Sequence, residues 1–210
     1  MSGPCRKKNS WLNGAGNLPI VGVLAIQGDF QEHRQMLERL GVEVSEIRLP
    51  HQLDGIDGLI IPGGESTTIV QLIDIYHFRD VLREKIIGGL PVWGTCAGLI
   101  VISDKLSDHR PEPLHIMDIE VSRNAFGRQL DSFEADIKFD EIEGPPFHCV
   151  FIRAPGVDKM GEDVKVLAKL EDGRPIAVRQ GTMLATSFHP ELTDDTRIHD
   201  LFIKIIQGTA

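Results

Sequence analysis

The apolar run Leu90-Pro91-Val92-Trp93 leads straight into Gly94-Thr95-Cys96-Ala97-Gly98, and this junction constrains the fold more than any other stretch of the chain. An apolar strand ending in Gly-x-Cys-x-Gly reads as a sharp strand-to-helix turn that presents a reactive side chain at its tip. Such a turn leaves no room for Cβ atoms beside it and calls for backbone angles that glycine adopts cheaply, which accounts for the flanking glycines. Taken alone, the motif more often marks a core cysteine beside a tight turn.

The preceding residues supply the rest of an α/β pattern. Ile20 to Ile26 is a nearly continuous apolar run, as in a strand covered on both faces. Phe30 to Leu40 carries Phe30, Leu37 and Leu40 at helical spacing, and Gly41 closes it. Val42 to Ile47 and Ile56 to Ile61 read as further strands, and Thr67 to Ile87 as one broken helix or two short ones. Alternating strands and helices predict a doubly wound, mostly parallel sheet with flanking helices, its site beyond the carboxyl ends of the strands. The second half holds short strand candidates at 116–121, 133–139, 149–153, 164–170, 175–178 and 183–188. Glu171-Asp172-Gly173-Arg174 signals a hairpin turn there. Thr193 to Gln207 reads as a final helix capped by Thr193 or Asp194. The expectation is a flexible extension over residues 1–18 and a single domain over 19–210.

Composition narrows the partners. The 210 residues include 22 basic and 31 acidic ones, a net charge of −9, which disfavours nucleic acid or an anionic membrane surface. No apolar run approaches the roughly 20 residues of a membrane-spanning helix, and the first 17 residues lack the apolar core of a secretory signal. Three cysteines (Cys5, Cys96, Cys149) do not form a disulfide framework, so a cytoplasmic chain with free thiols is expected. Cys149, within Cys149-Val150-Phe151-Ile152, reads as a buried small hydrophobe. The scattered histidines show no metal-ligand spacing, so neither a metal nor a cofactor is expected.

Two later features turn the elbow into chemistry. His189-Pro190-Glu191 follows an apolar strand, which brings His189 to the same sheet edge as Cys96. Residues two apart in an extended segment face the same way, so Glu191 can fix the tautomer of His189 as the acid of a triad does. At the first turn of a helix, Cys96 sits where unpaired N–H groups favour the thiolate. The N–H of Ala97 points toward a developing oxyanion. Asp57 to Thr68 runs a strand into Pro62-Gly63-Gly64-Glu65 and a helix start, a turn whose N–H groups can complete an oxyanion hole. It lacks the Gly-Lys-Ser/Thr end of a nucleotide loop.

Together these elements resemble the class I, triad-type glutamine amidotransferases, and within them the glutaminase subunits of pyridoxal 5′-phosphate synthase. The resemblance is carried by residues 22–28, 62–68, 94–98, 123–129, 131–134, 151–155 and 187–193, and spans about residues 20 to 203. Its most specific segments are Gly-Gly-Glu-Ser-Thr at 63–67, Arg-Asn-x-Phe-Gly-Arg-Gln at 123–129 and Phe-Ile-Arg-Ala-Pro at 151–155.

The resemblance implies a flavodoxin-like fold with extra short strands in the second half. Cys96, His189 and Glu191 would hydrolyse L-glutamine to glutamate and ammonia through a γ-glutamyl thioester. Ala97 and Gly64 would hold the oxyanion. Gly63, Gly64, Glu65, Arg123, Ile152 and Arg153 would line the glutamine pocket. The implied partner is a (β/α)₈-barrel synthase subunit in a large hetero-oligomer, with Gln27 and the following helix near the contact. Three alternatives differ in kind. A glutaminase could serve a different ammonia-using synthase. An α/β-hydrolase would place its acid between nucleophile and histidine. A binding module would keep the fold without turnover.

Overall fold

The computed structural model describes residues 18–210 except 109, 124 and 126–131. The expected N-terminal extension, Leu18 apart, lies outside the described residues. The centre is a seven-stranded sheet. Its strands are β1 (Ile20–Leu24), β2 (Glu43–Ile47), β3 (Gly58–Ile61), β4 (Val92–Thr95), β10 (Lys165–Lys169), β11 (Pro175–Gln180) and β12 (Met183–Thr186), in the order β10-β11-β12-β4-β3-β1-β2. The five strands from β12 to β2 are parallel, while β11 runs antiparallel to both its neighbours. Strand order reverses between β1 and β3, which opens a crevice at their carboxyl ends.

Alternation of side chains along the strands explains why helices cover both faces. Leu59 and Ile61 of β3 and Val92 of β4 join a core with α2 (Ser66–Ile75), α3 (Arg79–Ile87) and α4 (Ala97–Ile102). Ile60 and Trp93, from the same strands, join the opposite core with α1 (Phe30–Arg39) and α5 (Arg197–Gln207). Trp93 has no exposed surface. Burying a large apolar side chain of this kind stabilises by about 1.5–3 kcal/mol, so a one-residue slip of β4 would be prohibitive.

Outside this sheet, β5 (Ser103–Leu106), β6 (Met117–Ser122) and β9 (Gly156–Met160) form a small sheet. A hairpin of β7 (Ser132–Ile137) and β8 (Phe147–Ile152) packs Phe147 and Phe151 against Phe188 on the α1/α5 side.

Most expected elements stand within a few residues of their predicted bounds. The broken-helix segment resolves into α2 and α3. The Asp172-Gly173 turn joins β10 to β11, with Asp172 Oδ1 accepting from the Arg174 N–H at 3.1 Å. Two strands escaped the sequence, β5 and β9; both are short and charged, with no apolar run. The last helix starts later than expected, at Arg197. The Thr193 hydroxyl instead donates to Pro190 O at 3.1 Å, closing a 3₁₀ turn over Pro190–Leu192, and Asp195 accepts from the Arg197 N–H.

Candidate active site

Cys96 stands between β4 and α4, and the elbow is as tight as its sequence requires. A Cβ on Gly98 would fall 1.9 Å from the Ile61 carbonyl oxygen, and one on Gly94 would fall 2.5 Å from Gly98. Neither glycine carries a positive φ. The strained residue is Cys96 itself, at φ 47° and ψ −103°. The expectation that the glycines would absorb the unusual angles is thus corrected: they supply space, and Cys96 carries the strain. Such strain costs on the order of 1–3 kcal/mol and persists only where the surroundings fix it. One fixing contact is the Cys96 N–H, which donates to Thr186 O at 2.8 Å.

Adjacent parallel strands bring His189 to Cys96. Thr95 of β4 pairs with Thr186 of β12, and His189 lies three residues beyond, its N–H donating to Val150 O at 2.9 Å. His189 Nδ1 lies 2.7 Å from Glu191 Oε1. The two-residue spacing works through the 3₁₀ turn at Pro190 and not through an extended segment. Nδ1–H therefore serves the carboxylate and leaves Nε2 for the thiol. Burial opposes the charge of His189, but hydrogen bonds with Asp29, Cys96 and Glu191 outweigh it and push its pKa up to about 12. Burial pushes the Glu191 carboxyl up, against the opposing hydrogen bond from His189.

The cleft beside Cys96 has a volume of about 400 Å³, within the usual range for a small-molecule site. It gathers Gly64, Glu65, Ala97, Arg123, Ile152 and Arg153 with Cys96 and His189. Gly63 stands behind the base: a Cβ there would lie 2.5 Å from His189 Cε1. Gly64 has φ 150°, and a Cβ on it would lie 2.4 Å from Gln27 Oε1. Glu65 caps α2, accepting from the Thr67 hydroxyl at 2.9 Å, while its own N–H donates to Gln27 Oε1 at 3.0 Å. The Thr67 hydrogen bond, then the charges of Arg123 and Arg153, hold its carboxyl below the usual range against a modest cost of burial. Arg123 Nη2 lies 3.4 Å from Glu65 Oε1.

Arg153 also has a positive φ, 43°, and the carbonyl of its neighbour Ile152 faces Cys96 Sγ at 3.8 Å. As the first residue of α4, Ala97 has an N–H with no intrahelical acceptor. The predicted motif residues 124 and 126–131 lie outside the described residues.

The sequence reading missed several neighbours of the triad. Asp29 Oδ2 lies 3.5 Å from His189 Nδ1. Gln27, expected only near a partner, braces the Gly64-Glu65 turn. His33 and His199 are fully buried beneath Glu191. Their signal was visible: each occupies the apolar stripe of a helix, His33 with Met36 and Leu37, His199 with Ile198 and Phe202. Asp29, His189 and Glu191 are close enough to suggest a metal site, but Nδ1 of His189, as a donor to the carboxylates, has no lone pair to offer. Cys149 is fully buried, and burial pushes its thiol up, away from reactivity.

Relatives match this chain over nearly their whole length. The pyridoxal 5′-phosphate synthase subunit PdxT of Rhodococcus opacus is 48% identical over 198 residues, covering 90% of this chain and 98% of the relative. The PdxT of Herpetosiphon aurantiacus is 52% identical over 188 residues, covering 88% and 99%. A crystal structure of a glutamine amidotransferase superposes with a TM-score of 0.84 at 47% identity, covering 89% of this chain and 98% of that one. The sequence profile of one family matches residues 23–207, and on that match the chain belongs to the SNO glutamine amidotransferase family.

Proposed function

We propose that this chain is the glutaminase subunit of a pyridoxal 5′-phosphate synthase, acting in the cytoplasm through one amidotransferase domain over residues 19–210. The observation that carries the reading is the 2.7 Å contact of His189 Nδ1 with Glu191 Oε1, on a base set beside the strained elbow cysteine. The names of the relatives support the pathway.

The residues suit a thioester route. With the proton of Cys96 held on His189 Nε2, Sγ attacks the side-chain amide carbon of L-glutamine. The N–H groups of Ala97 and Gly64 hold the oxyanion. His189 then protonates the amide nitrogen, the C–N bond breaks and ammonia leaves a γ-glutamyl thioester. Next His189 takes a proton from water, the hydroxyl attacks the thioester, and the C–S bond breaks to release glutamate and restore the thiol. Glu191 keeps His189 in the tautomer both halves need. Arg123 and Arg153 offer planar cations to the substrate α-carboxylate, and Glu65 an anion to its ammonium. The ammonia passes to a (β/α)₈-barrel synthase subunit in a large hetero-oligomer, docked near Gln27 and α1.

Glutamate release from L-glutamine, by the chain alone and with a pyridoxal 5′-phosphate synthase barrel subunit, tests the reading. Strong activation by the barrel, abolished by Cys96→Ala, is expected. Release that ignores the barrel would assign the glutaminase to a different ammonia-using synthase, and none in either mixture would reduce the chain to a binding module.

A further inference from the structure

Beneath the triad runs a second polar chain that the steps above do not use. His33 of α1 and His199 of α5 have no exposed surface, and His33 Nδ1 lies 2.9 Å from His199 Nε2. Across the His33 ring, Nε2 lies 3.1 Å from Thr95 Oγ1 and 3.3 Å from Glu191 Oε2. The Thr95 contact is the hydrogen bond; Glu191 Oε2 itself has no hydrogen-bond partner among the described residues, and His33 Nε2 is the nitrogen set against it.

The positions of the protons follow from the partners. His199 Nδ1 has no hydrogen-bond partner among the described residues, and an orphaned buried N–H is rarer than an unsatisfied acceptor. His199 therefore carries its proton on Nε2 and donates it to His33 Nδ1. A neutral His33 then carries its proton on Nε2, the atom that faces Glu191. Trp93 packs edge-on against both rings, at centroid distances of 5.4 and 4.9 Å, and closes the site to water.

We propose that His33, held in place by His199 and Thr95, is a positioning residue for the triad: its Nε2, set 3.3 Å from the otherwise unpartnered Glu191 Oε2, offers that oxygen its polar neighbour and leaves Oε1 to His189. The two oxygens of one carboxylate are thus divided between two imidazoles, one structural and one that moves protons. The proposal rests on the glutaminase reading above. Three titratable groups face Glu191: His189 from its own turn, His33 from α1, and Asp29 just before that helix. Removing His33 takes a polar neighbour from the carboxylate and leaves His189 and a backbone hydrogen bond to favour its charge against burial and Asp29.

The test uses the full chain with the barrel subunit, and three forms of it: wild type, His33→Leu and His33→Gln, whose side-chain amide restores a donor near Nε2. Leaving a buried charge without its polar neighbour corresponds to about a 10- to 100-fold effect, so His33→Leu should lower kcat by that factor with KM for glutamine little changed. The acidic limb of its pH–kcat/KM profile should move up by about one unit, and His33→Gln should recover most of both losses. An unmoved limb, or a loss that His33→Gln does not relieve, would overturn the proposal.

Should His33→Leu fail to fold, the ¹⁵N spectrum of histidine-labelled wild type decides. A neutral His33 protonated on Nε2 from pH 5 to 8 is expected; an Nδ1–H tautomer, or protonation within that range, overturns it. That spectrum does not depend on turnover, so failure of the glutaminase reading would show separately, as a wild type that releases no glutamate.

Discussion

Replacing Gly63 by alanine should disable the base while leaving the chain folded. An added Cβ would lie 2.5 Å from His189 Cε1 and 3.0 Å from Nδ1. Ordinary carbon contacts are about 3.5–4.0 Å, so the ring must retreat by about 1 Å. It has little freedom to do so: His189 is 4% exposed and its Nδ1 is tied to Glu191 at 2.7 Å. A displacement of about 1 Å at a reacting group costs about 100-fold, which sets the expected loss in kcat/KM for glutamate release. Overpacking of this kind costs about 1–3 kcal/mol, a drop in Tm of roughly 2–12 °C for a chain of this size. Gly63 does not have a positive φ, so backbone strain does not contribute. Coupled glutamate dehydrogenase turnover gives the rate and scanning calorimetry the Tm. A Gly63→Ala protein with kcat/KM within threefold of wild type would refute the argument that this glycine exists to admit the imidazole.

Three more outcomes follow from the geometry. Cys96→Gly should be inactive yet melt about 2–4 °C above Cys96→Ala, since relieving φ 47° returns roughly 1 kcal/mol of strain; equal melting temperatures would argue against strain at the elbow. Gly98→Ala should yield little folded protein in a solubility and circular dichroism screen, because its Cβ would meet a backbone carbonyl at 1.9 Å, where no side chain can yield.

Stability should also fall as pH drops below about 6.5. Burial, with the neighbouring His199 and His189 charges, pushes His33 down, and burial pushes His199 to about 3. The unfolded chain then binds protons that the native one refuses. Each histidine costs up to about 1.4 kcal/mol per pH unit in that window. His189, raised to about 12, acts in the opposite sense: its contribution is full below about 6.5 and is lost as pH rises toward 12. Urea midpoints between pH 5 and 7.5 check the acid side, and a flat profile would contradict the neutral, buried pair.

Much of this architecture is legible in the sequence because it rests on local pattern. The continuous apolar runs of β1 and β3 declare strands covered on both faces, and Gly94 to Gly98 declares the elbow, since each glycine answers a clash between near neighbours or across one strand. The shared edge of Cys96 and His189 follows from each ending an apolar strand of a parallel sheet. What stayed hidden is long-range. β5 and β9 have no apolar run, and only pairing with β6 makes them strands. Asp29, His33 and His199 meet the triad through contacts between elements up to 166 residues apart, and nothing in a one-dimensional period reports that two helix-face histidines point at each other.

The pairing of β4 with β12 divides the labour of the molecule. Cys96 and His189 follow neighbouring strands, yet the chain leaves the central sheet after Cys96 and travels through β5 to β9 before returning. That excursion supplies Arg123, Ile152 and Arg153, which face the cleft, whereas the ends of the central strands supply Cys96 and His189. Under the proposed function, changes confined to the excursion can therefore retune which amide is admitted without disturbing how it is cleaved. The fold offers a fixed reaction centre and an exchangeable vestibule, and new specificity can be sought in the second while the first is left untouched.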